Sequence, residues 1–274
     1  MPELPEVETT KRGLEPYVVG QTIERLLVRD ARLRWPVAPA LPRQLKNRVV
    51  QALERRAKYL LFRFEHGTVI SHLGMSGTWR VVADVANSEQ DYRTHDHLAL
   101  RLGSGDELRY HDPRRFGCFI FTKMPAEHPL LSKLGPEPLG DCFDGDYLFA
   151  RSRGRKAPVK SFLMDNHVVV GVGNIYAQEA LFRAGIHPLR LAGRVGHERY
   201  HVLAAVVREI LTVAISRGGT TLRDFRSSNG EPGYFAQELN VYGRAGERCH
   251  GCGSVIKQAR LANRTTGYCP TCQT

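Results

Sequence analysis

Cys249-His-Gly-Cys252 and Cys269-Pro-Thr-Cys272 stand near the end of the chain as two Cys-x-x-Cys pairs with sixteen residues between them. The spacing is that of a four-thiolate zinc ribbon, in which each pair forms a turn around the ion and the insert forms a hairpin. The insert reads as two short strands about a turn near Leu261-Ala-Asn-Arg264. Thiolates in a tetrahedral set select Zn²⁺ over hard cations. Four protein ligands leave no open position, so one Zn²⁺ on Cys249, Cys252, Cys269 and Cys272 is expected to be structural. Zinc-dependent base deamination is disfavoured on that ground, and none of the eleven histidines is followed two residues later by the Glu that chemistry uses. Arg264 near the hairpin tip, with Lys257 and Arg260 on the preceding strand, offers positive charge to a nucleic-acid backbone or minor groove; the plainer alternative is a solvated basic hairpin.

Outward from the ribbon, the remaining cysteines, Cys118 and Cys142, stand singly and are expected to be packing residues in a reducing compartment. The 274 residues suffice for two modest domains, and 42% hydrophobic content suits a chain that buries its own core. No apolar run is long enough to span a membrane, and Met1-Pro-Glu-Leu-Pro-Glu lacks the basic and apolar regions of a signal peptide, so a soluble cytoplasmic protein is expected. Thirty-nine Lys and Arg against 28 Asp and Glu leave a net charge of +11, which points to a polyanionic partner. Anionic membranes and ribosomal RNA share that charge logic, so motifs must decide.

From about Lys156 to Arg217 the apolar spacing is helical, with Ala177, Leu181 and Phe182, then Val202, Val206, Ile210 and Val213, on candidate helix faces. Within it, Val168-Val-Val-Gly-Val-Gly-Asn174-Ile-Tyr176 reads as a glycine turn opening onto a helix. Asn174 there either caps the helix or donates its amide to a phosphate at the helix N-terminus. Residues 17 to 125 carry β-type runs: 22–28, 49–53, 59–64, 78–82, 97–102 and 118–121. Short strands separated by turn residues suggest a sandwich or flattened barrel. A polar stretch from Pro125 to Gly145 reads as the link between domains.

Three features of the β region sit at turns. Lys58 ends Arg55-Arg-Ala-Lys58, Met75 lies in His72-Leu-Gly-Met-Ser-Gly77, and Phe116 follows Asp112-Pro-Arg114-Arg115. Alone, they read as a surface charge, a core methionine, an ion-pair partner of Asp112 and a core aromatic. In a basic protein, apolar wedges and an Arg on turns are also tools for opening a duplex.

The N-terminal segment is chemically the sharpest. Removal of Met1 exposes the secondary amine of Pro2 beside Glu3 and Glu6, with Pro5 opening a helix to about Leu14. An α-amine with a pKa of about 7.7 to 8 is roughly one tenth neutral at pH 7, against less than about one in a thousand for an unperturbed lysine. A secondary amine attacking a sugar C1′ gives an iminium ion directly, which acidifies the C2′ proton and permits elimination. By itself the segment reads as an ordinary helix lead-in.

Taken together, Pro2-Glu-Leu-Pro-Glu-Val-Glu-Thr9, Arg56-Ala-Lys-Tyr-Leu60, His72-Leu-Gly-Met-Ser-Gly77, Asp112-Pro-Arg-Arg-Phe-Gly117, Val170-Gly-Val-Gly-Asn-Ile-Tyr176, Gly218-Gly-Thr220, Tyr242-Gly-Arg244 and the cysteine pairs closely resemble the formamidopyrimidine-DNA glycosylase family, in order along essentially the whole chain. The resemblance implies an α+β fold: an N-terminal β-sandwich with flanking helices (1–128), a link (129–150), a helix-two-turn-helix module (151–240) and a zinc ribbon (241–274), with DNA across the cleft. It implies a bifunctional glycosylase and abasic-site lyase of base excision repair, acting on double-stranded DNA that contains oxidised purines, without an organic cofactor. The sequence carries no heptad seam, so a monomer is expected by default. Pro2 would be the nucleophile, Glu3 the acid/base group at the sugar ring oxygen and Glu6 a supporting carboxylate. Lys58, Asn174, Tyr242 and Arg264 would grip phosphates, with Lys58 also assisting elimination. Met75, Arg114 and Phe116 would fill the void left by the flipped nucleotide, and Lys160 and the loop 217–224 would lie near the extruded base. The rivals are an endonuclease VIII-type pyrimidine enzyme, disfavoured by the Leu-Pro-Glu-Val start and the Arg114/Phe116 pair, and a non-catalytic damage-binding module, disfavoured by Pro2, Glu3 and Lys58.

Overall fold

The computed structural model describes residues 2–83, 92–219 and 239–274. They form two compact units: residues up to Ser132 with Gly218 and Gly219, and Lys133 to Arg217 with the residues from 239 onward.

The first unit opens with helix α1, Leu4–Val18, and also carries a short helix α2, Leu41–Leu45. Helix α1 runs past the expected end near Leu14 with Pro16 inside its last turn, because Leu14 and Val18, one helical step of four apart, are both fully buried. Burial of two such side chains, about 1.5–3 kcal/mol each, outweighs the roughly 3 kcal/mol proline penalty of a helix interior.

Two antiparallel sheets follow. β1 (Thr22–Val28), β2 (Arg48–Val49), β6 (Thr78–Val82), β7 (Asp96–Leu102) and β8 (Glu107–His111) form one, in the order β2-β1-β7-β8-β6. β3 (Ala52–Arg56), β4 (Tyr59–Phe64), β5 (Gly67–His72) and β9 (Cys118–Thr122) form the other, in chain order. The sheets share one core. Trp79 of the first is 1% exposed, its ring 5.9 Å from Phe62 and 5.6 Å from Phe119 of the second, and its indole donates to Ser71 Oγ at 3.1 Å. The expected sandwich is therefore present.

The 49–53 run, read as one strand, is two. The chain passes from one sheet to the other there, with Val50 N–H bonding to Gln21 O and Gln51 N–H to Arg63 O. β5 and β8 were not expected at all. β5 lies between β4 and β9 and is buried on both faces, so it lacks alternation. β8 hides a charged pair: Arg109, fully buried, donates to Glu107 at 2.6 Å.

The second unit contains α3 (Gly145–Ser152), α4 (Val159–Leu163), α5 (Asn174–Arg183), α6 (His197–Ser216) and the hairpin β10 (Lys257–Leu261) and β11 (Arg264–Tyr268). The buried stripe of α6 is Tyr200, Leu203, Ala204, Val207, Ile210, Leu211 and Ala214; of the expected face only Ile210 is buried, and Val202 is 49% exposed. The helix is apolar on several sides, so spacing alone misplaced the face by one residue. Part of the stretch expected as a link is anchored in this unit: Gly135 N–H bonds to Asn166 O and Phe143 is fully buried. Among the described residues no helix is long and apolar enough to cross a membrane.

Candidate active site and nucleic-acid interface

Pro2 is buried at the head of α1, followed by Glu3 (2% exposed) and Glu6 (3%). Glu3 is the N-cap, and its N–H donates to the Glu6 carboxylate at 2.8 Å, part of a capping box that places both carboxylates at the positive end of the helix. Gly219, with φ +83°, packs on the same carboxylate so closely that a Cβ would lie 3.0 Å from Glu6 Oε1. Glu3, Glu6 and Pro2 thus occupy one buried, electrically biased corner. Met1 lies outside the described residues.

Lys58 is buried in the two-residue turn left by the Arg56↔Tyr59 register of β3 and β4, rather than at the surface. Ala57 takes the left-handed conformation there, φ 55°. Arg55 locks the turn, donating to Ala57 O at 3.0 Å and to Glu8 of α1 at 2.9 Å. Burial of Glu8 works against its charge, but Arg55 and Arg12 hold its carboxyl below the usual range. Burial, with the nearby charges of Lys58 and Arg34, pushes His72 down to about 4. A neutral His72 is also what the geometry asks for, since its Nδ1 accepts the Gly74 N–H at 2.9 Å.

The two loops carrying Met75, Arg114 and Phe116 pack against each other. A Cβ on Gly74 would lie 2.6 Å from the Gly117 nitrogen, and one on Gly117 would overlap the Tyr110 hydroxyl. That hydroxyl donates to His72 O at 3.0 Å, and the Gly117 N–H donates to Asp112 Oδ2 at 2.9 Å. Asp112 therefore braces the loop, and Arg114, instead of pairing with it, lies exposed with its guanidinium 4.8 Å from the centre of the Phe116 ring. Phe116 is 44% exposed and Met75 half-buried, so neither is the core residue the plain reading made it.

In the second unit α5 gathers the remaining residues. Its N-cap is Gly173, without a side-chain cap, and Asn174 is its first residue, so the expected Asn174 cap is not formed. Gly171, at φ +80°, supplies the preceding turn. The Asn174 side chain instead accepts from Lys160 Nζ at 2.6 Å, and Lys160, 1% exposed, also donates to Thr266 Oγ1 of β11 at 2.6 Å. Two residues that sequence reasoning missed complete the frame. Glu179, 2% exposed, accepts from the N–H groups of Asn240, Val241 and Tyr242 at 2.8–2.9 Å and so fixes the backbone at Tyr242. Gln178 accepts the Gly267 N–H at 2.6 Å and donates to Asn174 O at 2.7 Å. The only signal for Glu179 is an acid within an apolar helix, Ala177 to Leu181.

Arg264 is exposed at the first position of β11, paired with Leu261 across a turn whose residues Ala262 and Asn263 both have positive φ. Below the hairpin the cysteine sulfurs converge, all within 4.8 Å of one another, with Cys249–Cys272 at 3.9 Å and Cys252–Cys269 at 3.4 Å. A tetrahedral ion ~2.3 Å from each sulfur needs separations of ~3.8 Å, so the set fits one structural Zn²⁺. The Cys272 N–H lies 3.4 Å from Cys269 Sγ, a donor suited to a thiolate. Cys118 is buried and its thiol is pushed up to about 12 by that burial, whereas Cys142 is exposed, contrary to expectation. Of the loop expected near the extruded base, 220–224 lie outside the described residues.

Comparison with known proteins agrees with this geometry. Family models match as the formamidopyrimidine-DNA glycosylase N-terminal domain over residues 1–119, its H2TH domain over 134–226, and a zinc finger found in FPG and IleRS over 246–274. The chain is 57% identical to the formamidopyrimidine-DNA glycosylase of Marinobacter nauticus over 273 residues, the whole of both. Among solved structures it resembles Lactococcus lactis Fpg in complex with DNA containing an abasic site, with TM-score 0.90, 35% identity and 99% of each chain covered. It also resembles MutM (FPG) of Thermus thermophilus, with TM-score 0.87, 40% identity, and 99% of this chain and 98% of that one covered. The chain belongs to the formamidopyrimidine-DNA glycosylase family.

Proposed function

We propose that this chain excises oxidised purines, 8-oxoguanine and formamidopyrimidines, through a Schiff base on Pro2 and then cleaves the strand by β,δ-elimination. It is a DNA glycosylase and abasic-site lyase of base excision repair, the activity of its family. The observation that carries the finer reading is the buried head of α1, where Pro2 adjoins Glu3 and Glu6. The Pro2 nitrogen attacks C1′ as the base leaves, and Glu3 delivers a proton to the sugar ring oxygen, opening the ring to an iminium. Loss of the acidified C2′ proton expels the 3′ phosphate, with Lys58 assisting.

Extrusion of the base costs a few kcal/mol. Met75 and Phe116 refill the stack, and Arg114 faces the orphaned cytosine, its guanidinium donors matched to a base edge. Asn174, Tyr242 and Arg264 hold phosphates, and Lys160 supports Asn174 from below. The zinc ribbon of residues 241–274 acts as its own DNA-contacting module, and the enzyme works as a monomer in the nucleoid. Release of 8-oxoguanine and of thymine glycol from otherwise identical duplexes tests the substrate. Faster release of 8-oxoguanine is expected, and preference for thymine glycol would instead favour the pyrimidine-specific reading.

A further inference from the structure

Three ligand-type side chains that the repair chemistry does not use meet in the second unit. His197 and His201, four apart on α6, present their rings on one face of the helix. Asp146 stands in the first turn of α3. Its Oδ1 is 2.6 Å from His197 Nε2 and 3.2 Å from His201 Nε2, and the two Nε2 atoms are 3.2 Å apart.

The packing that creates the cluster is specific. Gly145 approaches α6 so closely that a Cβ there would lie 2.5 Å from His201 Cα and 2.6 Å from its Nδ1, so only glycine brings Asp146 this near. Phe149, one turn along α3, meets His197 edge to face at 5.1 Å and fixes its ring. Glu198 Oε1 lies 3.4 Å from the other ring nitrogen of His197, where an outer carboxylate orients a ligating imidazole.

Donors ~2.0–2.1 Å from a tetrahedral ion are separated by ~3.3 Å, so all three observed distances are within ~0.7 Å of what such an ion needs. Two imidazole nitrogens and one carboxylate oxygen suit a borderline first-row cation better than Mg²⁺ or Ca²⁺. The side chains are 45%, 41% and 70% exposed for His197, His201 and Asp146, so the remaining positions of a bound ion would face solvent. Unlike the closed thiolate site, this one keeps open positions.

We propose that Asp146, His197 and His201 form a second metal site, for a divalent cation of the Zn²⁺ or Ni²⁺ type, that ties α3 to the start of α6. Untagged, zinc-loaded full-length protein is titrated with Ni²⁺, following calorimetric stoichiometry, the histidine ring resonances and Tm. One equivalent is expected to bind, to broaden the His197 and His201 signals and to raise Tm. His201→Gln and Asp146→Asn, each checked for an unchanged circular dichroism spectrum, should weaken that binding at least tenfold and abolish the Tm rise. Binding of equal strength in wild type and both variants, or no rise in the wild-type Tm, would overturn the assignment. Gly145→Ala should also weaken binding, since its Cβ would push on His201 and displace α3 while all three ligand residues are kept.

Discussion

The heads of α1 and α5 are two helix N-termini with the same backbone dipole and opposite chemistry. α1 carries Glu3 as its N-cap and Glu6 in its first turn, so its positive end is matched by the protein's own carboxylates. α5 has a glycine N-cap, no acidic residue in its first turn, and the Lys160 ammonium 2.6 Å from its first side chain. The proposed function uses one end for proton and nucleophile chemistry and the other for an anion supplied from outside. Side chains within the first turn, not helix geometry, decide which use a terminus serves.

The largest effect expected from this contrast is in Glu3→Gln, which keeps the shape of the α1 head and removes its acid. Single-turnover base release at saturating DNA should fall by about 10²–10⁴-fold, the usual worth of a general acid. An equal loss at saturation in Asn174→Ala would break the comparison, since the α5 head is assigned binding alone.

Next in size is a pH effect confined to the first unit. The folded His72 ring titrates at about 4 and the unfolded ring near 6.5, so the unfolded chain takes up the proton first. Stability is full above about pH 6.5 and falls as pH drops towards 4, by about 3 kcal/mol. Urea unfolding at stepped pH should show that fall in wild type and much less of it in His72→Gln; matching slopes would remove His72 from the account.

Two smaller effects sharpen the α5 side. Lys160→Met leaves Asn174 Oδ1 and Thr266 Oγ1 short of a donor, each worth about 1–3 kcal/mol of stability when buried. Duplex affinity should drop about tenfold with its salt dependence intact, because Lys160 acts through Asn174. Arg264→Ala should instead lower the slope of log K against log salt by about 1, as loss of one phosphate contact does. A reduced slope in Lys160→Met would mean that the lysine meets phosphate itself.

Legibility in the sequence followed how local each signal is. The cysteine pairs, the hairpin turn at Ala262-Asn263 and most strands could be read because spacing and alternation are properties of short segments. β8, Glu107-Leu-Arg-Tyr-His111, alternates polar with apolar residues and so carries a local signal; what the sequence hides is that its polar face is also buried, with Arg109 bonded to Glu107. The choice between cap and phosphate donor at Asn174 was not legible, because its side chain is engaged by Lys160, fourteen residues away, and is not available to the helix. Glu179 and the Asp146–His197–His201 cluster were illegible for the same reason: their partners are distant in sequence and meet only in the folded unit.

Borohydride trapping on 8-oxoguanine duplex DNA shows whether the amine of Pro2 is the nucleophile. The adduct from wild type, digested and mapped by mass spectrometry, should lie on an N-terminal Pro2 with Met1 absent, and Pro2→Gly should show severely weakened excision. An adduct on Lys58, or an active protein that retains Met1, would contradict the account.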